Sequence, residues 1–106
     1  MRLLIDECLP RALKRSFPEH ECRTVQEMGW SAKKNGVLLA LADGTFDVLL
    51  TIDQNLEYQQ DLANRQIAVL VISALSNQIE DLEPVVPHVL TALRNIRPGR
   101  VVRVGI

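Results

Sequence analysis

The amino-acid sequence predicts an α/β domain in which helices cover both faces of a mostly parallel β-sheet. Short apolar segments recur along the chain without the strict alternation of a sheet that has one face in water. Segments with helical periodicity separate these apolar segments. Alternating strands and helices are typical of parallel sheets with right-handed crossovers, so the expected architecture is a three-layer α/β/α sandwich.

The predicted strands are short and rich in β-branched residues. The three strongest cover residues 3–5, 48–52 and 67–72, and their nearly continuous apolar character suits strands that are buried on both faces. Two weaker candidates cover residues 22–25 and 101–104. Together these segments predict a sheet of five strands.

Two helices are predicted in the first half of the chain. Leu9, Leu13 and Phe17 recur at a spacing of four residues, and Pro10 suits a first helical turn. The second helix carries an apolar stripe, and Ser31 upstream of it is a candidate N-cap. The members of this stripe are Val37, Leu38, Leu41 and Ala42.

Two more helices are predicted in the second half. Tyr58 and Leu62 mark a short helix after the strand at 48–52. A longer helical pattern covers residues 79–96, with two prolines that break or kink it near its start and a Pro-Gly pair that stops it. These residues are Pro84, Pro87, Pro98 and Gly99.

Length and composition limit the class of protein. The chain has 106 residues, which fits a single domain spanning residues 1–106. Its 12 Lys and Arg residues against 13 Asp and Glu residues give a net charge of −1, so attraction to nucleic acid has to come from a local patch. The longest apolar runs are six residues, whereas a membrane span needs about 20. With two cysteines and early carboxylates, the sequence predicts a cytoplasmic protein without membrane association.

Acidic side chains follow two of the strongest predicted strands. Residues 3–5 lead into Asp6 and Glu7, and residues 48–52 lead into Asp53 and Asn55. Sites in parallel sheets form beyond the carboxyl ends of the strands, where the strand order reverses. If these two strands are neighbours, the side chains converge, and their oxygen atoms suit Mg²⁺ or Mn²⁺. The alternative is that Asp6 and Asp53 only cap the following helices.

Two ordered motifs carry a resemblance to a known family. Residues 4–10 read Leu-Ile-Asp-Glu-Cys-Leu-Pro, and residues 47–56 read Asp-Val-Leu-Leu-Thr-Ile-Asp-Gln-Asn-Leu. Together with Glu-Met-Gly-Trp at 27–30 and Lys-Asn-Gly at 34–36, this order resembles the bacterial PIN-like domain proteins. These are small chains that are often regarded as the toxin halves of toxin–antitoxin pairs. The resemblance covers nearly the whole chain.

The resemblance implies a PIN-like α/β/α fold and, in active members, a metal-dependent ribonuclease built on acidic residues. It implies Asp6 and Asp53 as ligands of Mg²⁺ or Mn²⁺ and, together with Glu7, as the catalytic residues. Thr51 matches the threonine of a Thr-x-Asp motif. Where many relatives have a further acid, this chain has Asn35, which offers a neutral oxygen and no charge.

RNA is the expected substrate. Lys33 and Lys34 either steer its phosphates or are ordinary solvated residues at the start of a helix. Asn35, Thr51 and Asn55 complete the expected set of substrate-binding residues. A protein antitoxin and a second copy of the chain are the other expected partners.

Two other functions stay open. A catalytically silent PIN-like interaction module is favoured by Asn35, and a receiver-like signalling domain is disfavoured because no lysine ends a late strand.

The arginines at positions 94, 97, 100 and 103 either bind RNA or an antitoxin, or complement a helix end and protect an edge strand.

Overall fold

The strands of the protein form one parallel sheet. The computed structural model describes residues 1–54, 62 and 64–105. Every strand pairing among these residues is parallel, and the order across the sheet is β2-β1-β3-β4-β5. The predicted parallel α/β architecture is confirmed, and each of the five strands lies within one residue of its predicted ends. The strands are β1 (Arg2–Ile5), β2 (Glu21–Thr24), β3 (Val48–Thr51), β4 (Ala68–Ser73) and β5 (Val101–Gly105).

Short helical segments connect the strands. The first is a 3₁₀ helix where the sequence predicted a helix from Leu9 to Phe17, and Leu13 and Phe17 are buried as that pattern predicted. No helix among the described residues is long and apolar enough to cross a membrane. The helix predicted around Tyr58 falls largely on residues outside the described ranges. The described helices are the 3₁₀ helix Arg11–Ser16, α1 (Asn35–Ala42), α2 (Ile79–Leu82), the 3₁₀ helix Glu83–Val85 and α3 (Val86–Asn95).

The C-terminal helical region is divided where its prolines predicted a break. Helix α2 ends before Pro84, and α3 begins beside Pro87. Arg94 lies in the last turn of α3, and Arg103 lies on β5 at the edge of the sheet. These positions agree with the structural interpretation, in which Arg94 complements a helix end and Arg103 protects an edge strand.

The strand order reverses between β1 and β3. From β1 the chain passes to β2 on one side, and from β2 it returns across β1 to β3 on the other. Ile5 at the end of β1 is level with Leu50 in β3, so the residues that follow the two strands emerge side by side. The strands that precede Asp6 and Asp53 are therefore parallel neighbours, which is the condition for their side chains to converge.

Two apolar layers hold the helices against the sheet. Successive strand residues point to opposite faces, so Ile5 packs on one side and Leu4 on the other. The first layer joins the strands to the 3₁₀ helix Arg11–Ser16, α2 and α3, and the second layer joins them to α1. Burial on both faces explains why the strands lack an alternating pattern.

Helix α1 faces the sheet with a different stripe from the predicted one. Leu38, Leu39 and Ala42 are buried, whereas Val37 and Leu41 are exposed. The predicted inclusion of Val37 and Leu41 in the inward face is therefore wrong. Because α1 is apolar at nearly every position, its sequence does not distinguish the inner face from the outer face.

Candidate functional site

A hydrogen-bonded cluster centred on Thr51 lies at the carboxyl end of the sheet. Thr51 ends β3 and has 0% exposure. Its hydroxyl donates to Oδ2 of Asp6 at 2.7 Å and accepts from the backbone N–H of Asp53 at 3.1 Å. The N–H of Asp6 in turn donates to the carbonyl oxygen of Leu50 at 2.9 Å, which extends the pairing of β1 with β3. One buried hydroxyl therefore fixes the carboxylate after β1 against the backbone after β3.

The Asp6 carboxylate accepts hydrogen bonds from three donors. Besides Thr51, the Cys8 thiol donates to Oδ2 at 3.4 Å and the backbone N–H of Glu7 donates to Oδ1 at 2.9 Å. A carboxylate has about four lone-pair sites, so Asp6 keeps acceptor capacity for a further ligand. Its side chain is half-exposed. The N-cap position of the following helix belongs to Pro10, so the capping interpretation of Asp6 is wrong.

Cys8 contributes a protonated thiol to this cluster. Its Sγ lies 3.4 Å from Oδ2 of Asp6 and 3.5 Å from Oγ1 of Thr51. Burial raises the pKa of the Cys8 thiol above its ordinary value, and the negative charge of Asp6 adds to the effect. A protonated thiol is a hydrogen-bond donor and a poor nucleophile. Cys8 therefore helps to orient Asp6.

Glu7 holds the loop that leads into α1. Its exposed side chain accepts a hydrogen bond from the N–H of Ala32 through Oε1 at 2.9 Å. Ala32 has a φ of 62°, in the left-handed region that residues other than glycine rarely adopt. This contact brings the loop to the carboxyl end of the sheet, and the exposed Lys33 and Lys34 follow directly. Glu7, predicted to be catalytic, thus has a positioning contact in the structure.

Gln54 connects the ends of β3 and β4. Its side-chain amide donates to the carbonyl oxygens of Ile52 and Ile72, each at 3.2 Å, and to Oγ of Ser73 at 3.4 Å. The sequence interpretation gave Gln54 no role. Its position directly after Asp53 is the one signal that could have drawn attention to it.

The remaining predicted site residues have different outcomes. Asn35 begins α1 and is half-buried, directly after Lys34, which occupies the N-cap position that was expected for Ser31. Asn55 lies outside the described residues.

Within residues 1–54, 62 and 64–105, no three His, Cys, Asp or Glu side chains group closely enough to hold a metal ion. The described part of the chain therefore offers no ligand set made of three such side chains.

No protein-family model, curated protein or solved structure matches this chain. The resemblance to PIN-like proteins consequently depends on the motifs at residues 4–10 and 47–56.

Proposed function

We propose that this protein is a PIN-like endoribonuclease that depends on Mg²⁺ or Mn²⁺ and acts as the toxin of a toxin–antitoxin pair. The observation that carries the proposal is the Thr51 hydroxyl, which ties Asp6 after β1 to the backbone of Asp53 after β3. This link lies where the strand order reverses, and open parallel sheets bind their ligands at such positions. Thr51 and Asp53 also form the Thr-x-Asp motif that resembles the family.

The donor set suits Mg²⁺ in a site that RNA completes. Mg²⁺ usually keeps several waters and binds through one or two carboxylates together with substrate phosphates. Asp6 and Asp53 would supply the two carboxylates, and the three donors to Asp6 hold its carboxylate in one orientation. When bound, the ion supplies charge stabilisation and an activated water for phosphodiester hydrolysis. Two carboxylates alone predict weak affinity for the ion in the absence of RNA.

The other residues at this end of the sheet have separate roles in the proposal. Lys33 and Lys34 counter the charge of the RNA phosphates. Glu7 positions the loop that carries both lysines through its contact with Ala32. Thr51 keeps Asp6 in place, and Asn35 offers a neutral oxygen to the substrate.

Thermal unfolding during a titration with Mn²⁺ tests the proposed site. Binding to the native state adds RT ln(1 + [L]/Kd), about 2.7 kcal/mol at a hundredfold excess over Kd. We expect Mn²⁺ to raise the Tm more than Ca²⁺ does, and Asp53→Asn to abolish that rise. In the proposed site Asp53 lies beside the Asp6 carboxylate, so the metal-free Asp53→Asn protein, which lacks that repulsion, should be at least as stable as wild type.

The same variants separate a metal ligand from a helix cap. As an N-cap, Asn is nearly equivalent to Asp, whereas Ala costs about 1 kcal/mol. A capping role for Asp53 therefore predicts a silent Asp53→Asn and a destabilised Asp53→Ala, both with an unchanged response to Mn²⁺. Cleavage of a labelled RNA should fall in Asp53→Asn and in Asp6→Asn. A variant that keeps both the Mn²⁺ response and the cleavage would contradict the site.

A catalytically silent interaction module is the second candidate. The three protein donors to Asp6 favour it, because a carboxylate that is held in this way can be purely structural. The lack of a third nearby ligand among the described residues points in the same direction. Such a protein would bind a partner protein and show no stabilisation by divalent cations.

A receiver-like signalling domain has less support. Its strand order can be the one seen here. However, β4 ends at Ser73 and β5 at Gly105, and neither strand leads into a lysine within the described residues.

A further inference from the structure

The 3₁₀ helix Arg11–Ser16 borders a basic cleft. The cleft has a volume of about 440 Å³, and its lining residues in the described part of the chain are Arg11, Ala12, Lys14 and Arg15. Three of these four residues are cationic, in a chain whose net charge is −1. A cleft that is lined by charges of one sign concentrates ligands of the opposite sign. The cleft therefore suits an anionic ligand.

The two arginines of this cleft keep their charges free of the fold. Both side chains are exposed, and neither forms an ion pair with an acidic side chain of the described residues. Arg15 lies in the last turn of the helix, where a cation suits the dipole. Arg11 lies in the first turn, which contains no acid and where a cation is unfavourable. The charge of Arg11 thus gives the helix no stability and is available to an external anion.

The cleft begins close to the Asp6 carboxylate. Arg11 is the fifth residue after Asp6, and five residues span at most about 18 Å when fully extended. The N–H of Leu9 donates to the carbonyl oxygen of Asp6 at 3.0 Å, so the chain turns and the separation is shorter than that limit. Nδ2 of Asn77 donates to the carbonyl oxygen of Cys8 at 3.2 Å, which ties this turn to the loop after β4. The cleft and the candidate site therefore lie beside each other at the carboxyl end of the sheet.

Lys14 holds the 3₁₀ helix at the same end of the sheet. Thr24 ends β2, and its N–H donates to Oε1 of Glu27 at 3.0 Å. Nζ of Lys14 donates to the same oxygen at 2.7 Å, and this hydrogen bond lowers the pKa of the Glu27 carboxyl group. The charge of Lys14 is therefore used inside the fold. Arg11 and Arg15 remain as the two cations that can bind a ligand.

We propose that Arg11 and Arg15 bind phosphates of the RNA strand where it leaves the candidate site. The 3₁₀ helix packs on one face of the sheet, and α1, which follows Lys33 and Lys34, packs on the other. The RNA strand then crosses the carboxyl end of the sheet from one basic group to the other. Phosphate contacts position a strand without reading its bases, so the cleft accepts RNA of any sequence. This inference rests on the proposed ribonuclease function and gives its substrate a path.

The salt dependence of RNA binding tests the cleft. Affinity for a labelled RNA is measured by fluorescence anisotropy, with Asp53→Asn as the parent chain so that the RNA stays intact. Arg11→Gln and Arg15→Gln should each flatten the slope of log affinity against log salt by roughly 0.7–1 unit. The matched control is Arg97→Gln, which removes an equal charge. Arg97 lies at the opposite end of the sheet, beside Met1.

The slope of Arg97→Gln should equal that of the parent chain. Equal flattening in the control and in the two cleft variants would overturn the inference, because RNA would then respond to the overall charge. Unchanged slopes in both cleft variants would also overturn it, as expected if the cleft binds an acidic protein segment instead. A parent chain that binds no RNA would overturn the inference and the proposed function together. An unchanged Tm shows that each variant is folded.

Steady-state cleavage by the chain with Asp53 intact separates the inference from the proposed function. A phosphate contact away from the reacting bond stabilises the substrate and the transition state equally. Arg15→Gln should therefore raise KM severalfold and leave kcat unchanged, whereas Asp53→Asn should lose kcat. Cleavage with an unchanged KM in Arg15→Gln would overturn the cleft and leave the ribonuclease function standing. Flatter slopes in both cleft variants without any cleavage would support the cleft and contradict the ribonuclease function.

Discussion

Among single residues, Thr51 connects both strands that flank the candidate site. Thr51→Val keeps the size of the side chain and removes the hydroxyl that Asp6 and the backbone of Asp53 share. The loss removes a hydrogen bond to the Asp6 carboxylate and one to the Asp53 backbone, both partly buried, so we expect the free energy of unfolding to fall by about 1–3 kcal/mol. Urea denaturation measures this change. Thr51→Ser retains the hydroxyl and should lose much less stability.

A second buried threonine provides the matched control. Thr24 is 3% exposed, and its Oγ1 accepts a hydrogen bond from the N–H of Glu27 at 3.0 Å. Thr24→Val should also destabilise the fold, because it leaves that N–H without its acceptor. Only Thr51→Val should reduce the rise in Tm that Mn²⁺ causes. An equal response to Mn²⁺ in both variants would mean that Thr51 has only a structural role.

The thiol of Cys8 reports the electrostatics of the cluster. Burial, followed by the Asp6 charge, raises the pKa of this thiol. In a Cys22→Ala protein, alkylation of Cys8 should reach half of its maximal rate at a pH above the ~8.5 of an ordinary cysteine. Asp6→Asn should move that midpoint to lower pH, because it removes a charge that disfavours the thiolate. A midpoint at or below the ordinary value, or one that Asp6→Asn leaves in place, would contradict the assigned contact.

The raised pKa of Cys8 also sets the direction of a change in stability with pH. The unfolded chain releases the thiol proton at lower pH than the native chain does. The stabilisation is therefore fully present below the ordinary thiol pKa and is lost as the pH rises through the native pKa.

The sequence predicted the site residues that follow strands. It did not predict the contacts that depend on the path of a loop. Asp6 and Asp53 were identifiable because the apolar segments before them predict strands, and parallel strands end on one side of a sheet. Thr51 was named only through the resemblance to PIN-like proteins. The contacts of Cys8 with Asp6 and of Glu7 with Ala32 depend on how the chain turns after β1. No periodic pattern encodes such turns.

Among the elements, the loop before α1 stores backbone strain. Ala32 has a φ of 62°, where glycine is favoured over alanine by roughly 1 kcal/mol. Ala32→Gly should therefore raise the free energy of unfolding by about 0.5–1 kcal/mol, even though glycine makes the unfolded chain more flexible. Urea denaturation again measures the difference.

Gly29 provides the reverse substitution in the same region. It has a φ of 76°, and a Cβ added there would meet no atom within 4 Å. Gly29→Ala should therefore cost about 1 kcal/mol from backbone strain alone. If Ala32→Gly and Gly29→Ala both destabilise, the positive φ of Ala32 is not the source of strain.

The helices were harder to predict than the strands. The spacing of Leu9, Leu13 and Phe17 fits an α-helix, yet the segment Arg11–Ser16 forms a 3₁₀ helix. Both helix types can bury Leu13 and Phe17, so an apolar spacing alone does not separate them over a few residues. In α1 the failure is different, because the polar residues that would mark its outer face are missing.

In the whole molecule, doubly buried strands made the fold class predictable. Strands β3 and β4 are buried at nearly every position, and their sequences are continuous apolar runs. The adjacency of β1 and β3 was expected from the acids that follow them, and the pairing agrees. The full order of the five strands could not be derived in the same way, because the edge strands carry weaker patterns.

Because the net charge is −1, attraction to RNA has to come from a local group of positive charges. Lys34 follows the loop that Glu7 fixes at the carboxyl end of the sheet, whereas Arg103 lies on the edge strand β5. Lys34→Glu and Arg103→Glu change the net charge equally, yet only the first removes a proposed phosphate contact. The slope of log affinity against log salt should flatten by about one unit in Lys34→Glu and stay unchanged in Arg103→Glu.

Fluorescence anisotropy with a labelled RNA measures both slopes. The labelled RNA is kept at low concentration while the protein is titrated at each salt concentration. Asp53→Asn serves as the parent chain, because RNA cleavage should be abolished in it. Equal slopes in the two charge-reversed variants would show that RNA responds to the overall charge, and Lys34 would then be an ordinary surface lysine. A flatter slope in Lys34→Glu alone would place the RNA backbone beside the Thr51 cluster even if no cleavage is seen, because affinity and its salt dependence are measured without turnover.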